Sequence, residues 1–198
     1  MQPHKQDQII GILLAAGKGS RFDPSGVQNK LLQTTSDGKT VALAAATTML
    51  GVLPLVAAVV RDADDALAIA LEKLGCKLVI CPEADQGMAT SLVSALSQYQ
   101  DAGGWLIALG DMPHVQASTI AALAAQLSKG ADIVAPFYQG ERGNPIGFSA
   151  RHLAELLLLR GDQGARALLK VHPVTRLDVD DPGIHYDIDT PADLATPN

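Results

Sequence analysis

The 198-residue chain has few aromatic side chains, few charged side chains and almost no cysteine. Aromatic residues make up 4% of the sequence and charged residues 18%, and there are 2 cysteines. Cys76 and Cys81 lie apart from any histidine cluster with metal-ligand spacing, so they form no zinc signature, and we expect both in or near the core. A net charge of −6 disfavours nucleic acid and anionic membrane as partners, because both require a positive face.

Targeting and membrane segments are also missing from the pattern. Residues 1–7 lack the apolar stretch of a signal peptide, so we expect a cytoplasmic protein. The uncharged residues 40–60 are long enough to span a bilayer, but Gly51 and Pro54 interrupt them. A helix at 41–50, a turn at 51–54 and a buried strand at 55–60 explain this stretch better.

What the chain does contain is an alternation of apolar blocks and helical periods. The blocks are short and continuous, as in a parallel sheet covered on both faces. They lie at residues 8–14, 55–60, 77–81, 105–109 and 132–136. A helical period predicts helices at 66–74, 88–99 and 120–127. Repeated strand–helix units predict a doubly wound α/β sheet.

The rhythm changes after residue 136. A loop punctuated by glycine and proline is expected at 137–148, helices at 153–159 and 163–170, and a strand at 174–179. Thr190 before Pro191 predicts the start of a further helical turn. Without an internal repeat or a low-complexity linker, residues 1–198 are interpreted as one domain.

Two strand ends carry residues suited to chemistry, because ligands of open α/β sheets bind beyond the carboxyl ends of strands. The first strand leads into a glycine-rich basic turn, Leu14, Ala15, Ala16, Gly17, Lys18, Gly19, Ser20 and Arg21. Its glycines allow backbone N–H groups close to a phosphate, and Lys18 and Arg21 add charge. The turn is neither a dinucleotide fingerprint nor a P-loop. The residues alone therefore leave a phosphate site and an ordinary tight connection equally open.

The second strand end is Gly110 followed by Asp111. Mg²⁺ binds one or two carboxylates together with substrate phosphates, so Asp111 is a candidate metal ligand. The alternative is a turn cap, a common role of aspartate. The glycine-rich turn elsewhere in the sequence favours the metal and phosphate interpretation.

Six short motifs in order resemble one enzyme family. They are the turn at 14–21 with Lys30, then residues 87–92, 109–113, 142–148, 160–166 and 187–194. Together, from about residue 9 to 194, they are similar to the molybdenum cofactor nucleotidyltransferases, and especially to the cytidylyltransferase branch. The resemblance implies a three-layer α/β/α, mostly parallel, Rossmann-like nucleotide-diphosphosugar transferase fold. The branch rests on Ala16, where guanine-using relatives have glycine. We expect its methyl to narrow the space beside the nucleotide and favour a pyrimidine.

The resemblance implies Mg²⁺-dependent transfer of CMP from CTP to molybdopterin, with release of pyrophosphate. Such an enzyme would serve xanthine dehydrogenase-type molybdoenzymes and could contact the apo-enzyme transiently. The implied catalytic residues are Arg21, Lys30 and Asp111. The implied nucleotide-binding residues are Leu14, Ala15, Ala16, Gly17, Lys18, Gly19, Ser20, Arg21, Lys30 and Gly110. The metal ligands would be Asp111 and Asp189, with Asp187 less favoured, and the pterin-site candidates are Gly87, Ser91, Asn144 and Asp162.

The chain departs from the family pattern at two places. Phe22 follows Arg21, and eight residues separate Arg21 from Lys30, so this loop must fold back to bring Lys30 to the phosphates. Asn144 replaces a family histidine and can form hydrogen bonds but cannot carry a proton. The alternatives are a transferase for GTP or another phosphorylated acceptor, and a non-catalytic chaperone that holds the cofactor. For Asp189 the alternative is a turn residue.

Overall fold

A mixed eight-stranded sheet organises the computed structural model, which describes residues 8–25, 27–162 and 164–195. The strands are β1 (Ile9–Leu14), β2 (Val56–Val60), β3 (Lys77–Ile80), β4 (Gly104–Leu109), β5 (Ile133–Tyr138), β6 (Glu141–Arg142), β7 (Ile146–Ser149) and β8 (Thr175–Asp178). Their order is β3-β2-β1-β4-β7-β5-β6, with β8 beside β5. Strands β3, β2, β1 and β4 are parallel, whereas β7 is antiparallel to both β4 and β5.

Helices cover both faces of the sheet. They are α1 (Val41–Leu50), α2 (Ala66–Leu74), α3 (Met88–Gln98), α4 (Ala117–Ser128) and α5 (Leu153–Leu157). Single turns of 3-10 helix lie at Lys30–Leu32, Pro82–Gln86, Ala150–His152, Gly164–Lys170, Pro182–His185 and Pro191–Ala195. Local sequence determines both ends of α2. The Asp65 carboxylate accepts a hydrogen bond from the Leu67 N–H at its start, and Gly75 adopts a left-handed conformation at its end.

Two apolar layers separate the sheet from its helices. Alternate residues of β1 point to opposite layers, so Leu13 joins the cluster that contains Met49 and Leu123. Ile12 joins the cluster that contains Leu92 and Leu156. The first layer lies under α1, α2 and α4 and the second under α3 and α5, which confirms the expected three-layer α/β/α fold.

The first two thirds of the sequence fold as predicted. The five apolar blocks are β1 to β5, and residues 40–60 divide into α1, a turn and β2. Within the described ranges no helix is long and apolar enough to cross a membrane. Cys76 and Cys81 are buried and free, and burial raises the pKa of the Cys76 thiol to about 11.

The last third requires corrections. The expected loop at 137–148 contains β6 and the first residues of β7, which lies between β4 and β5. β7 has four residues, too few for a periodic signal, and it includes Gly147, where a Cβ would lie 2.7 Å from the Val134 Cγ1. The helix expected at 153–159 ends at Leu157. That expected at 163–170 is a 3-10 turn over Gly164–Lys170, and Gln163 lies outside the described residues.

Candidate active site

The glycine-rich turn and Asp111 are neighbours because β1 and β4 are adjacent and parallel. Leu14 pairs with Leu109 at the ends of the two strands. The Gly110 N–H then donates to the Leu14 carbonyl over 2.9 Å. Gly110 allows this contact, since a Cβ there would lie 3.0 Å from the same carbonyl oxygen.

Four charged side chains meet at these strand ends. The Lys30 Nζ lies 2.6 Å from the Asp111 Oδ2 and 3.3 Å from the Asp189 Oδ1. The Arg21 guanidinium lies 2.5 Å from the Asp189 Oδ2. Lys30 is 7% exposed, so its ammonium faces these carboxylates and not bulk water. The cluster lines a cleft of about 220 Å³ together with Leu14, Gly17, Gly19, Ser20 and Leu31.

The loop between Arg21 and Lys30 folds back and delivers Lys30 to this cleft. Phe22 is buried and anchors the start of the loop. The Asp23 carboxylate accepts hydrogen bonds from the Ser25 hydroxyl and from the N–H groups of Gln28 and Ser25, and these bonds lower the pKa of Asp23. At the other end, the Asn29 side chain accepts from the Leu31 N–H over 3.0 Å and begins the turn that carries Lys30.

The C-terminal carboxylates reach the site through the buried Ile188. Its N–H donates to the Asp111 carbonyl over 2.9 Å, which places Asp187 and Asp189 beside the end of β4. Partial burial, and then the charges of Asp189 and Asp111, raise the pKa of Asp187. Among the residues described, these three carboxylates have Lys30 and Arg21 as their cationic neighbours, so negative charge is in excess.

The carboxylates fit a divalent cation. The Asp111 Oδ1 is buried and has no hydrogen-bond partner among residues 8–25, 27–162 and 164–195. Asp111 and Asp189 both contact the Lys30 ammonium, so their oxygens converge on one position. Hard oxygen ligands with an unused lone pair suit Mg²⁺ or Mn²⁺.

A smaller cleft lies on the other side of Leu14. It is lined partly by Met88, Asn144, Gly164 and Arg166. β7 runs antiparallel to β4, with Ile146 opposite Ile107, so the residues before β7 lie at the same edge as the carboxyl end of β4. This direction brings Asn144 to the cleft that Leu14 also lines.

Of the remaining pterin-site candidates, Gly87 and Asp162 lie together at the start of α3, whereas Ser91 does not face outward there. At Gly87, with φ of 118°, a Cβ would lie 2.5 Å from the Gly161 carbonyl carbon and 2.8 Å from an Asp162 carboxylate oxygen. The Ala89 N–H donates to the Gly161 carbonyl over 3.0 Å, so the chain itself occupies one backbone donor at the start of α3. Ser91 is buried on the inner side of α3.

Arg61 and Asp85 are site residues that the sequence reasoning missed. The Arg61 Nε donates to the Ala16 carbonyl over 2.6 Å, and its guanidinium also bonds to Asp85. The Lys18 Nζ lies 2.5 Å from the Asp85 carboxylate, away from Asp111. Both cations lower the pKa of Asp85. Arg61 directly follows β2, so the rule that found Asp111 would also have found Arg61.

Both alanines of the turn are buried. Ala16 is 5% exposed and belongs to the apolar cluster that contains Val59 and Cys81. Ala15 is 4% exposed, belongs to the other apolar cluster and also lines the open cleft beside the turn. The narrowing of the nucleotide space by the Ala16 methyl stays a prediction.

The fold and the charged cluster define a nucleotidyltransferase. Residues 11–178 match the family described as the MobA-like NTP transferase domain. This match covers well over half of the sequence, and the chain belongs to that family.

Individual relatives agree with this assignment. The chain is 31% identical over 199 residues to the purine catabolism protein PucB of Bacillus subtilis strain 168, covering 92% of each chain. It superposes on Rv0371c of Mycobacterium tuberculosis H37Rv with a TM-score of 0.77 and 27% identity, covering 94% of each chain. Rv0371c has also been crystallised in complex with manganese. The molybdopterin-guanine dinucleotide biosynthesis protein A of Archaeoglobus fulgidus, at 19% identity and a TM-score of 0.66, covers 93% of this chain and 94% of its own and shows the same fold.

Proposed function

We propose that the chain transfers CMP from CTP to the terminal phosphate of molybdopterin and releases pyrophosphate, with Mg²⁺ as cofactor. The observation that carries the proposal is the convergence of Lys30, Asp111 and Asp189 beside the glycine-rich turn. A phosphate cradle with a buried ammonium and two convergent carboxylates suits phosphoryl-group chemistry that depends on charge neutralisation.

The reaction forms one P–O bond and breaks another. An anionic oxygen of the acceptor phosphate attacks the α-phosphorus of CTP, and the bond to the bridging oxygen breaks as its electron pair leaves with pyrophosphate. The nucleophile is already an anion, so no side chain has to remove a proton. Arg21 and the N–H groups of the turn hold the triphosphate and align it. Asp111 and Asp189 would hold the divalent cation, which when bound would supply additional neutralisation of phosphate charge.

Lys30 has to change partners during this process. In the structure it binds Asp111 and Asp189. The phosphate oxygens of CTP compete for the same ammonium, so Lys30 can turn from the two carboxylates toward the nucleotide. Lys30 can then neutralise charge at the α-phosphate, where negative charge is redistributed in the transition state.

The acceptor belongs in the smaller cleft. Asn144 offers an amide for hydrogen bonding, and the exposed Arg166 on the same rim can pair with the acceptor's phosphate. Gly87 and Asp162 stand at the adjacent start of α3. Leu14 lines both clefts, which supports a geometry in which the two phosphates meet at the end of β1.

The choice of CTP rests on the resemblance of residues 14–17 to the cytidylyltransferase branch. The proposed clients are molybdoenzymes of the xanthine dehydrogenase type. Xanthine is a purine, and the relative PucB is described as a purine catabolism protein, which supports this choice.

A thermal-shift panel of the four ribonucleoside triphosphates with Mg²⁺, followed by a pyrophosphate-release assay with molybdopterin, tests the proposal. A nucleotide at about 100 times its Kd stabilises the fold by roughly 2.7 kcal/mol, and we expect the largest shift from CTP. A larger shift with GTP would overturn the branch but not the class. Absence of pyrophosphate release with every nucleotide, while CTP still binds, would favour the cofactor-holding chaperone.

A further inference from the structure

Two histidines and a glutamate form a second cluster, separate from Asp111 and Asp189. His152 ends the 3-10 turn after β7, Glu155 lies in α5, and His172 follows the turn Gly164–Lys170. Their ligand atoms all lie within 4.8 Å of one another. The His172 Nε2 is 2.7 Å from the Glu155 Oε2, and the His152 Nδ1 is 3.6 Å from the Glu155 Oε1.

The buried histidine of this cluster has unused ring nitrogens. His152 is 7% exposed, and neither its Nδ1 nor its Nε2 has a hydrogen-bond partner among the residues that the structure describes. Buried polar atoms are normally paired, since an unpaired one costs about 1–3 kcal/mol. The ring lies 4.7 Å from the ring of His172, centroid to centroid. A ligand bound between the two imidazole rings and Glu155 would pair with a ring nitrogen of His152 that is otherwise unpaired.

We infer that His152, Glu155 and His172 bind a divalent transition-metal ion of the zinc class. Two imidazoles and one carboxylate are a ligand set for Zn²⁺ with a fourth position left for water, and nitrogen ligands disfavour Mg²⁺. Ligands about 2.0–2.1 Å from a tetrahedral Zn²⁺ lie roughly 3.3–3.4 Å apart. The observed 2.7 Å from His172 and 3.6 Å from His152 involve different oxygens of Glu155. One ligand atom from each of the three residues lies within 4.8 Å of the others, so small side-chain rotations bring them to this spacing. On metal binding the Nε2 of His172 must carry no hydrogen: a neutral imidazole then holds its hydrogen on Nδ1, and an imidazolium releases one proton to solvent.

The exposed side of the cluster gives the metal a route in. Glu155 is exposed and His172 half-buried, so the ion can enter from solvent and meet His152 last.

The position of the cluster suggests what the ion would do. His152 and His172 stand at the two ends of residues 153–171, which carry Gly164, Ala165 and Arg166 to the smaller cleft. A metal on both histidines closes this segment into a loop with fixed ends. The metal site itself does not depend on the proposed function. Only the effect on the acceptor cleft does.

Calorimetric titration of Zn²⁺ into the chelator-treated chain tests the site, with excess Mg²⁺ present to compete at Asp111 and Asp189. We expect one ion per chain and a Tm rise of roughly 5–10 °C at 100 times the Kd. His172→Ala and Glu155→Gln are the informative variants, because both side chains reach solvent and their loss should leave the fold intact. Each should weaken Zn²⁺ binding by roughly 100-fold or more.

Two control variants show whether Zn²⁺ binds at this cluster or at other side chains of the protein. His185→Ala removes an exposed imidazole whose Nε2 contacts only the Glu141 carbonyl among the described groups, and it should bind Zn²⁺ like the unchanged chain. Asp111→Asn should also retain Zn²⁺ binding, whatever happens to its activity. Bound Co²⁺ should show the intense visible absorption of a four-coordinate site, and this signal should disappear in His172→Ala. Absence of Zn²⁺ binding in excess Mg²⁺, or binding unchanged by both informative variants, would overturn the inference.

Discussion

Replacing Lys30 by alanine should affect stability and turnover in different ways. The ammonium is buried between Asp111 and Asp189, and its loss leaves the three carboxylates with Arg21 as their cationic neighbour. Breaking a fully buried ion pair costs about 3–5 kcal/mol. The Asp111 and Asp189 side chains remain 21% and 20% exposed, so water compensates in part. We expect a loss of about 1–3 kcal/mol, or a Tm lower by roughly 2–10 °C.

Mg²⁺ should restore the stability of this variant but not its rate. A cation on Asp111 and Asp189 removes the excess negative charge, so the Tm difference from the unchanged chain should narrow in millimolar Mg²⁺. Turnover at saturating CTP should remain about 10²–10³-fold lower, the usual cost of losing one electrostatic stabiliser of the transition state. Lys30→Arg should recover little activity, because a planar guanidinium does not replace a compact ammonium.

Lys18→Ala is the matched control, since Lys18 belongs to the same turn but pairs with Asp85 at an exposed position. It should weaken CTP binding modestly and leave the single-turnover rate near normal. Single-turnover measurements at saturating CTP and Mg²⁺ compare the two variants directly. A near-normal rate for Lys30→Ala, or a rate that Mg²⁺ fully restores, would show that Lys30 is only a counter-ion to the carboxylates.

Three further changes test neighbouring parts of the site. Asp111→Asn should lower turnover by at least roughly 100-fold and reduce the Tm rise caused by Mg²⁺, whereas an active variant that melts early would support the turn-cap interpretation. Asp187→Asn should raise the Tm near pH 7, because the folded-state pKa of Asp187 is raised and its charge is therefore destabilising above that pKa. This gain should vanish below about pH 3.9, where the acid is protonated in both states, and an equal gain there would exclude the charge as its cause. Phe22→Ala should destabilise the chain by about 3 kcal/mol, measured by denaturant unfolding, because Phe22 is buried. It should also raise the KM for CTP in steady-state kinetics. An unchanged KM would mean that the loop does not position Lys30.

The parallel half of the fold could be predicted because its signal is local. Continuous apolar blocks mark strands that are covered on both faces, and the rule for strand ends then selects Asp111. Arg61 obeys the same rule and was missed because only two strand ends were considered. The position of Lys30 was harder, since it depends on the burial of Phe22 and on hydrogen bonds to Asp23 across a loop without periodicity.

The antiparallel part could not be predicted in the same way. β7 is four residues long, and its place between β4 and β5 is set by close packing at Gly147. Because β7 runs antiparallel to β4, the residues that precede β7, and not those that follow it, lie at the edge of the sheet where ligands are expected. Asn144 was therefore identified through the family resemblance alone.

The excess of carboxylates around Lys30 bears on how the proposed substrate would bind. A chain with a net charge of −6 repels a bare triphosphate at long range, and Asp111 and Asp189 repel it again at the cleft. A nucleotide that arrives already complexed with its cation brings positive charge that balances these groups. If the proposed transfer is correct, we therefore expect the metal–nucleotide complex, and not the free nucleotide, to be the form that binds.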